Sequence, residues 1–142
     1  MSLSFTLPIL PRAQARARHG RTKSGLSVTY KSDAQHQAEE NLCALLLPHR
    51  PPDPLEGPLK LDLVAWMPIP PSWTQKRQAA AKAGELWPTG KPDLDNLVKH
   101  LKDCMTATGF WRDDKQVVDL HALKKYTPYA PAWNVVLSNA KD

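Results

Sequence analysis

KPDLDNLVKHLKDCMTATGFWRDDKQVVD, residues 91–119, holds a helix, a reversal and the start of a strand, with aspartates at either end of the helix. Leu97, Val98, Leu101 and Met105 recur at intervals of three and four, the period of an apolar helical face. Pro92 and Asp93 suit the approach and the N-cap, because an aspartate oxygen accepts a first-turn N–H that has no partner within the helix. Gly109 supplies the left-handed residue that closes many helices, which puts the end near Thr108. Asp95, Lys99 and Asp103, spaced i, i+4, i+8, share the face opposite the apolar one. A chain that turns on Gly109 and returns as a strand over Val117 to Leu123 brings Asp113 or Asp114 back beside the first helical turn.

Carboxylates that converge and stay open to solvent are the donors a hard cation such as Mg²⁺ prefers. The chemistry that suits them is metal-assisted phosphodiester hydrolysis. Lys99, one turn beyond Asp95, adds positive charge for the transition state. Each residue also has a plainer use. Asp93 is a cap, Asp95 with Lys99 is an i, i+4 ion pair worth about 0.2–0.5 kcal/mol, and Asp113 with Asp114 is a polar turn. Their conjunction favours the site, since gathering like charges costs energy unless a cation or water relieves it. An EF-hand is excluded, because a loop starting at Asp93 needs glycine where Val98 stands and glutamate where Cys104 stands.

KPDLDNLVKHLKD followed by GFWRDDKQVVDL resembles the signature of the RusA family of Holliday-junction resolvases, in its D-x-D-N pair, the lysine one turn on, and the later D-D-x-Q-V. The resemblance is dense here and looser over most of the chain. It implies a small homodimeric endonuclease that depends on Mg²⁺, with Mn²⁺ able to substitute. It implies binding to branched DNA, namely four-way junctions, and symmetric nicks in two strands of like polarity, in DNA recombination and repair. Carried over by position, it implies essential acids and metal ligands at Asp93, Asp95 and Asp114, and an essential lysine at Lys99. Asp103 and Asp113 match family positions in a supporting role.

The bulk properties agree with such a partner. The chain of 142 residues is one domain's worth. Its formal charge of +5 and pI near 9.3 favour a polyanion, although excess charge also serves solubility. Cys43 and Cys104 fall within apolar helical patterns and read as reduced core thiols. The opening MSLSFTLPILPR lacks the basic start and long apolar run of a signal peptide, since Pro8 and Pro11 interrupt it. No stretch approaches the roughly 20 apolar residues of a membrane span. The expectation is a cytoplasmic protein, bacterial or phage-encoded by its resemblance, with no membrane partner.

Outward from the central stretch, Ser2 to Ile9 alternates as a first strand. Residues 11–31 read as a basic loop and a short strand. Arg12, Arg16, Arg18, Arg21 and Lys23 occur there without an acid among them, either as a solvated loop or as phosphate contacts whose binding is salt-dependent. Leu26 to Tyr30 is the short strand. Ser32 and Asp33 offer a cap for a helix striped by Ala34, Ala38, Leu42, Leu45 and Leu46 and ending by Leu47. Pro48 to Pro58, with five prolines, reads as a surface connection that joins no sheet and serves as a spacer. Leu59 to Met67 carries the clearest strand alternation in the chain.

Residues 68–90 form a basic and aromatic excursion. Ser72 caps a short helix through Ala83 bearing Lys76, Arg77 and Lys82, Lys91 follows, and Trp73 and Trp87 flank it. These pair phosphate contacts with base stacking, or the tryptophans pin the excursion to the domain. Val117 to Leu123 and Trp133 to Leu137 are the last strands. His19, His36, His49, His100 and His121 sit in no metal or triad spacing. The expected fold is a single α+β domain over residues 1–142, a mixed sheet of about five strands with two main helices and a short third, in the order ββαβααββ. Two other functions fit the residues, an inactive branched-DNA-binding protein and a metal-dependent phosphohydrolase of small substrates.

Overall fold

A computed structural model describes residues 1–14, 18–21, 25, 27–30 and 33–141, with the backbone alone for 18–21 and 27–30. In chain order the elements are β1 (Ser2–Leu7), β2 (Arg18–Arg21), β3 (Ser27–Tyr30), α1 (Asp33–Leu46), β4 (Leu59–Pro68), α2 (Gln75–Lys82), α3 (Leu94–Thr108), β5 (Val117–Thr127) and β6 (Ala132–Asn139). The alternation read in the sequence is real in β4: Leu59, Leu61, Leu63, Ala65 and Met67 are buried, and the residues between them reach the other face.

β4 lies inside a mixed sheet of order β1-β6-β4-β5. It runs antiparallel to β6, Leu63 opposite Val135, and parallel to β5, Leu63 opposite Ala122. Parallel neighbours need a long crossover, and the segment from Ile69 to Gln116 supplies it, carrying both α2 and α3. Leu97, Leu101 and Met105 of α3 and Leu42 and Leu46 of α1 join the buried residues of β4 and β6 in one core. The main sheet therefore has four strands, not five. β2 and β3 pair only with each other among the described residues, as a separate antiparallel ribbon, Arg18 opposite Tyr30. The run RHGR has no apolar residue, whereas backbone pairing with a neighbour needs none. The expected basic loop thus contains a strand. Arg16, Lys23 and the Ser32 cap lie outside the described residues.

Three further expectations are corrected. α2 is capped by Thr74, not Ser72: its Oγ1 accepts from the Arg77 N–H at 3.2 Å, so the helix starts slightly later. β5 extends to Thr127, because it stays paired with β4 as far as Pro68. The proline-rich connection is more than a spacer. Leu55, free of the proline ring that would remove a donor, gives its N–H to the Phe110 carbonyl at 2.9 Å and forms a parallel bridge with Trp111. Among the described residues no helix is long and apolar enough to cross a membrane.

Candidate active site

The site is built around the first turn of α3 and the turn that precedes β5. Lys124 of β5 donates through Nζ to the Gly90 and Pro92 carbonyls at 2.8 and 2.7 Å, which fixes the approach to the helix. Asp93 is the N-cap: its Oδ1 accepts from the Asn96 N–H at 3.0 Å. Asp95 follows in the first turn and is exposed. Negative charge there is favoured by the unpaired N–H groups and the helix dipole. Lys99, one turn further, reaches toward Asp103 with Nζ 3.4 Å from its carboxylate. Lys99 is largely solvated and Asp103 only partly so, and at 3.4 Å this contact holds Lys99 loosely.

At its other end α3 closes on Gly109, whose φ of 88° is the left-handed conformation that a side chain disfavours. Phe110 and Trp111 then bury completely, and the Trp111 Nε1–H donates to Thr106 Oγ1 at 2.7 Å. The reversal that follows is held by its own residues. Asp113 accepts from the Lys115 N–H at 2.9 Å, and Gln116 Oε1 accepts from the N–H groups of Arg112 and Asp113 at 2.9 and 3.1 Å. Gln116 Nε2 donates to the carbonyls of Leu55 and Gly57 at 2.9 and 3.1 Å, and Arg112 pairs with Glu56 at 3.1 Å. Asp114 sits between these anchors. The register then shifts: Val117 faces Leu59 and Asp119 faces Lys60, which leaves Val118 as an extra, exposed residue at the start of the strand.

Asp95, Lys99 and Asp114 line one groove of about 420 Å³, together with Lys102, Leu94, Val98, Leu120 and Ala122. Among the described residues neither the Asp95 nor the Asp114 carboxylate is taken up by a hydrogen bond or ion pair. Asp93 lines the neighbouring depression with Lys91 and Asn96. On the other side, Asp114 shares a cavity of about 510 Å³ with Asp103, Asp113, Glu39, Cys43 and Cys104. Two of the three sequence-predicted acids therefore share a groove with the predicted lysine, and the third caps the same helix. Among the described residues no three His, Cys, Asp or Glu side chains close around a single point. The open carboxylates nevertheless fit a hard divalent cation, which binds through one or two carboxylates and keeps waters for a phosphate to replace.

Lys102 is a groove residue that sequence reasoning passes over; its spacing of i+3 from Lys99 on an exposed face is the available signal. The anchoring role of Gln116 has no local signal, since its partners are distant. Of the basic residues, Arg12, Lys76, Arg77, Lys82 and Lys91 are exposed. Arg18 and Arg21 lie on β2. The Arg77 guanidinium lies 3.9 Å from the Trp73 ring centroid, and Trp73 meets Tyr126 edge-on at 5.4 Å. Trp73 thus pins the excursion to β5. Cys104 is buried, and burial, with the neighbouring Cys43 thiol next in effect, pushes its thiol far above the usual range.

The family model described as Endodeoxyribonuclease RusA matches residues 8–137. The chain is 36% identical over 128 residues to the uncharacterized protein YqaN of Bacillus subtilis strain 168, covering 88% of each chain. It is 31% identical over 122 residues to the crossover junction endodeoxyribonuclease RusA of Escherichia coli K12, covering 85% of this chain and 81% of the relative. Over 38 residues, 27% of this chain and 29% of the relative, it is 53% identical to the crossover junction endodeoxyribonuclease rusA of Lactococcus phage r1t. With the match running from the end of β1 into β6 across the groove of Asp95 and Asp114, the chain belongs to the RusA endodeoxyribonuclease family.

Proposed function

We propose that this chain is a structure-selective DNA endonuclease that depends on Mg²⁺, accepts Mn²⁺, and resolves four-way junctions in recombination and repair. It acts as a homodimer that nicks two strands of like polarity. The observation that carries the reading is the groove in which Asp95, Asp114 and Lys99 meet, in a chain of this family.

Asp95 and Asp114 hold the cation, and Asp93, at the N-cap of the same helix, adds a carboxylate to its surroundings. The bound ion supplies Lewis-acid polarisation of the phosphate and eases ionisation of the attacking water. Asp95 keeps its place because the helix is capped before it and packed behind it by Leu97 and Leu101. Lys99, held loosely by Asp103, swings onto the non-bridging oxygens of the scissile phosphate and offsets the charge that builds there. Lys102 lies about one turn along the same groove and holds an adjoining phosphate. Asp113 and Gln116 contact neither ion nor DNA; they set the turn from which Asp114 projects.

The test compares a synthetic four-way junction with linear duplex of the same sequence, with Mg²⁺ and with chelator, using wild type and Asp95→Asn. The expected result is paired, metal-dependent nicks confined to the junction and lost in the variant. Junction binding without cleavage would instead mark an inactive binding protein. Neither binding nor cleavage would direct attention to small phosphoesters.

A further inference from the structure

A second depression, of about 260 Å³, lies toward the end of β5 remote from Asp114, bounded by Trp66, Trp87, Lys82, Lys125 and Tyr126. Its lining holds two indoles, a phenol ring and two ammonium groups, and no carboxylate. Lys125 Nζ stands 5.3 Å from the Trp87 ring centroid and 5.8 Å from that of Trp66, where the electron-rich ring faces attract a cation. Trp87 is 51% exposed, unlike Trp73, which is closed between Arg77 and Tyr126. Of the tryptophans carried by the excursion, Trp87 is the one left with a face open to a ligand.

We infer that this depression binds one unpaired nucleotide of the DNA, its base stacked on Trp87 and its flanking phosphates held by Lys82 and Lys125. The inference rests on the reading of the chain as a junction endonuclease and deepens it. Charge decides the class of ligand: two cations without an acid select an anion, and two indoles select one with a planar ring. Size sets the number, since the space falls below the roughly 300–1,000 Å³ of pockets that take larger ligands. Ala122 of the Asp95 groove and Lys125 are three residues apart on β5 and so point to opposite faces of the sheet, which puts the depression across the β5 edge from the groove. Bases at a crossover are available for unstacking, whereas those within an arm are not, so a filled depression distinguishes a branch point from linear duplex. Lys125 lies over one face of Trp87 in the free protein and moves to phosphate when the base arrives.

The experiment titrates the full chain, in chelator, with a thymidine octamer and with an abasic octamer of equal phosphate count, and reads affinity and tryptophan emission. Wild type is expected to bind the thymidine strand roughly ten- to a hundredfold more tightly than the abasic one, with quenching. Trp87→Leu, which keeps an apolar side chain on the surface, is expected to bind both strands equally, and Trp87→Phe to restore part of the preference. Equal affinity of wild type for both strands, or an undiminished preference in Trp87→Leu, overturns the inference. The readout needs neither a junction nor cleavage. Failure of the junction assay with the base preference intact would sink only the nuclease reading, and the converse result only the pocket.

Discussion

Gln116 Nε2 donates to the Leu55 carbonyl at 2.9 Å across 61 positions of sequence, while its Oε1 accepts from the backbone of Arg112 and Asp113. One side chain therefore joins the proline-rich connection to the turn that presents Asp114. Gln116→Ala removes these bonds and the one to Gly57, and should lower the free energy of unfolding by about 2 kcal/mol. Junction cleavage should fall as the turn loosens, with binding retained. Gln116→Glu keeps the acceptor and loses the donors, and should lie between. Urea denaturation curves matching wild type for both variants would show that other contacts hold the connection.

Asp93 is the N-cap of α3 and, in the proposed mechanism, a carboxylate near the cation, and a single pair of substitutions separates the two roles. Asparagine caps a helix about as well as aspartate, so Asp93→Asn should leave stability within a few tenths of a kcal/mol, whereas Asp93→Ala should cost about 1 kcal/mol. Cleavage should be lost in both. Full cleavage by a stable Asp93→Asn protein would make the residue a cap and nothing more.

Lys99 and Lys102 should fail in different ways. Lys99→Met is expected to lower the cleavage rate by about a hundredfold while junction affinity changes little, because the proposed mechanism uses its charge in the transition state. Lys102→Met should weaken binding and reduce the slope of log affinity against log salt by about 1. Single-turnover rates and binding isotherms at several salt concentrations distinguish the two. Asp103→Ala, which breaks one partly exposed ion pair, should change stability by less than about 1 kcal/mol.

The buried thiol of Cys104 gives a pH signature. Its pKa is raised in the folded protein from an ordinary value of 9.0, so at neutral pH both folded and unfolded forms carry the proton and nothing is lost. Above 9.0 the unfolded chain releases the proton first, and stability falls as pH rises. Wild type should lose about 1 kcal/mol more than Cys104→Ala between roughly pH 8 and 10. Parallel losses in the two proteins would mean that groups elsewhere govern the alkaline limb. In native protein Cys104 should also resist alkylation until denaturant is added.

The legible parts of this fold are those specified by local pattern. α3 shows its apolar stripe, its Asp93 cap and its Gly109 stop within a single stretch, and β4 alternates without interruption. Asp95, Lys99 and Asp114 are readable for the same reason, as charges at fixed offsets from that helix. β2 is not, because RHGR has neither alternation nor branched residues and owes its conformation to a neighbour. At the far end of β5 the consecutive Lys124 and Lys125 break the apolar pattern, and the segment is a strand because β4 lies beside it. Leu55 and Gln116 are bound to each other by the fold, and no spacing in the sequence announces a contact of that range.

β1 lies at one edge of the sheet and, among the described residues, pairs with β6 alone, from Ser2 opposite Ser138 to Leu7 opposite Trp133. On the ribosome the first strand emerges long before its partner exists. Until Ala132–Asn139 is made, β4 lacks its antiparallel neighbour and the apolar bed beneath α3 stays open, so the slow, long-range closure of the sheet comes last. The aspartates of the groove are synthesised before the strand that completes their support.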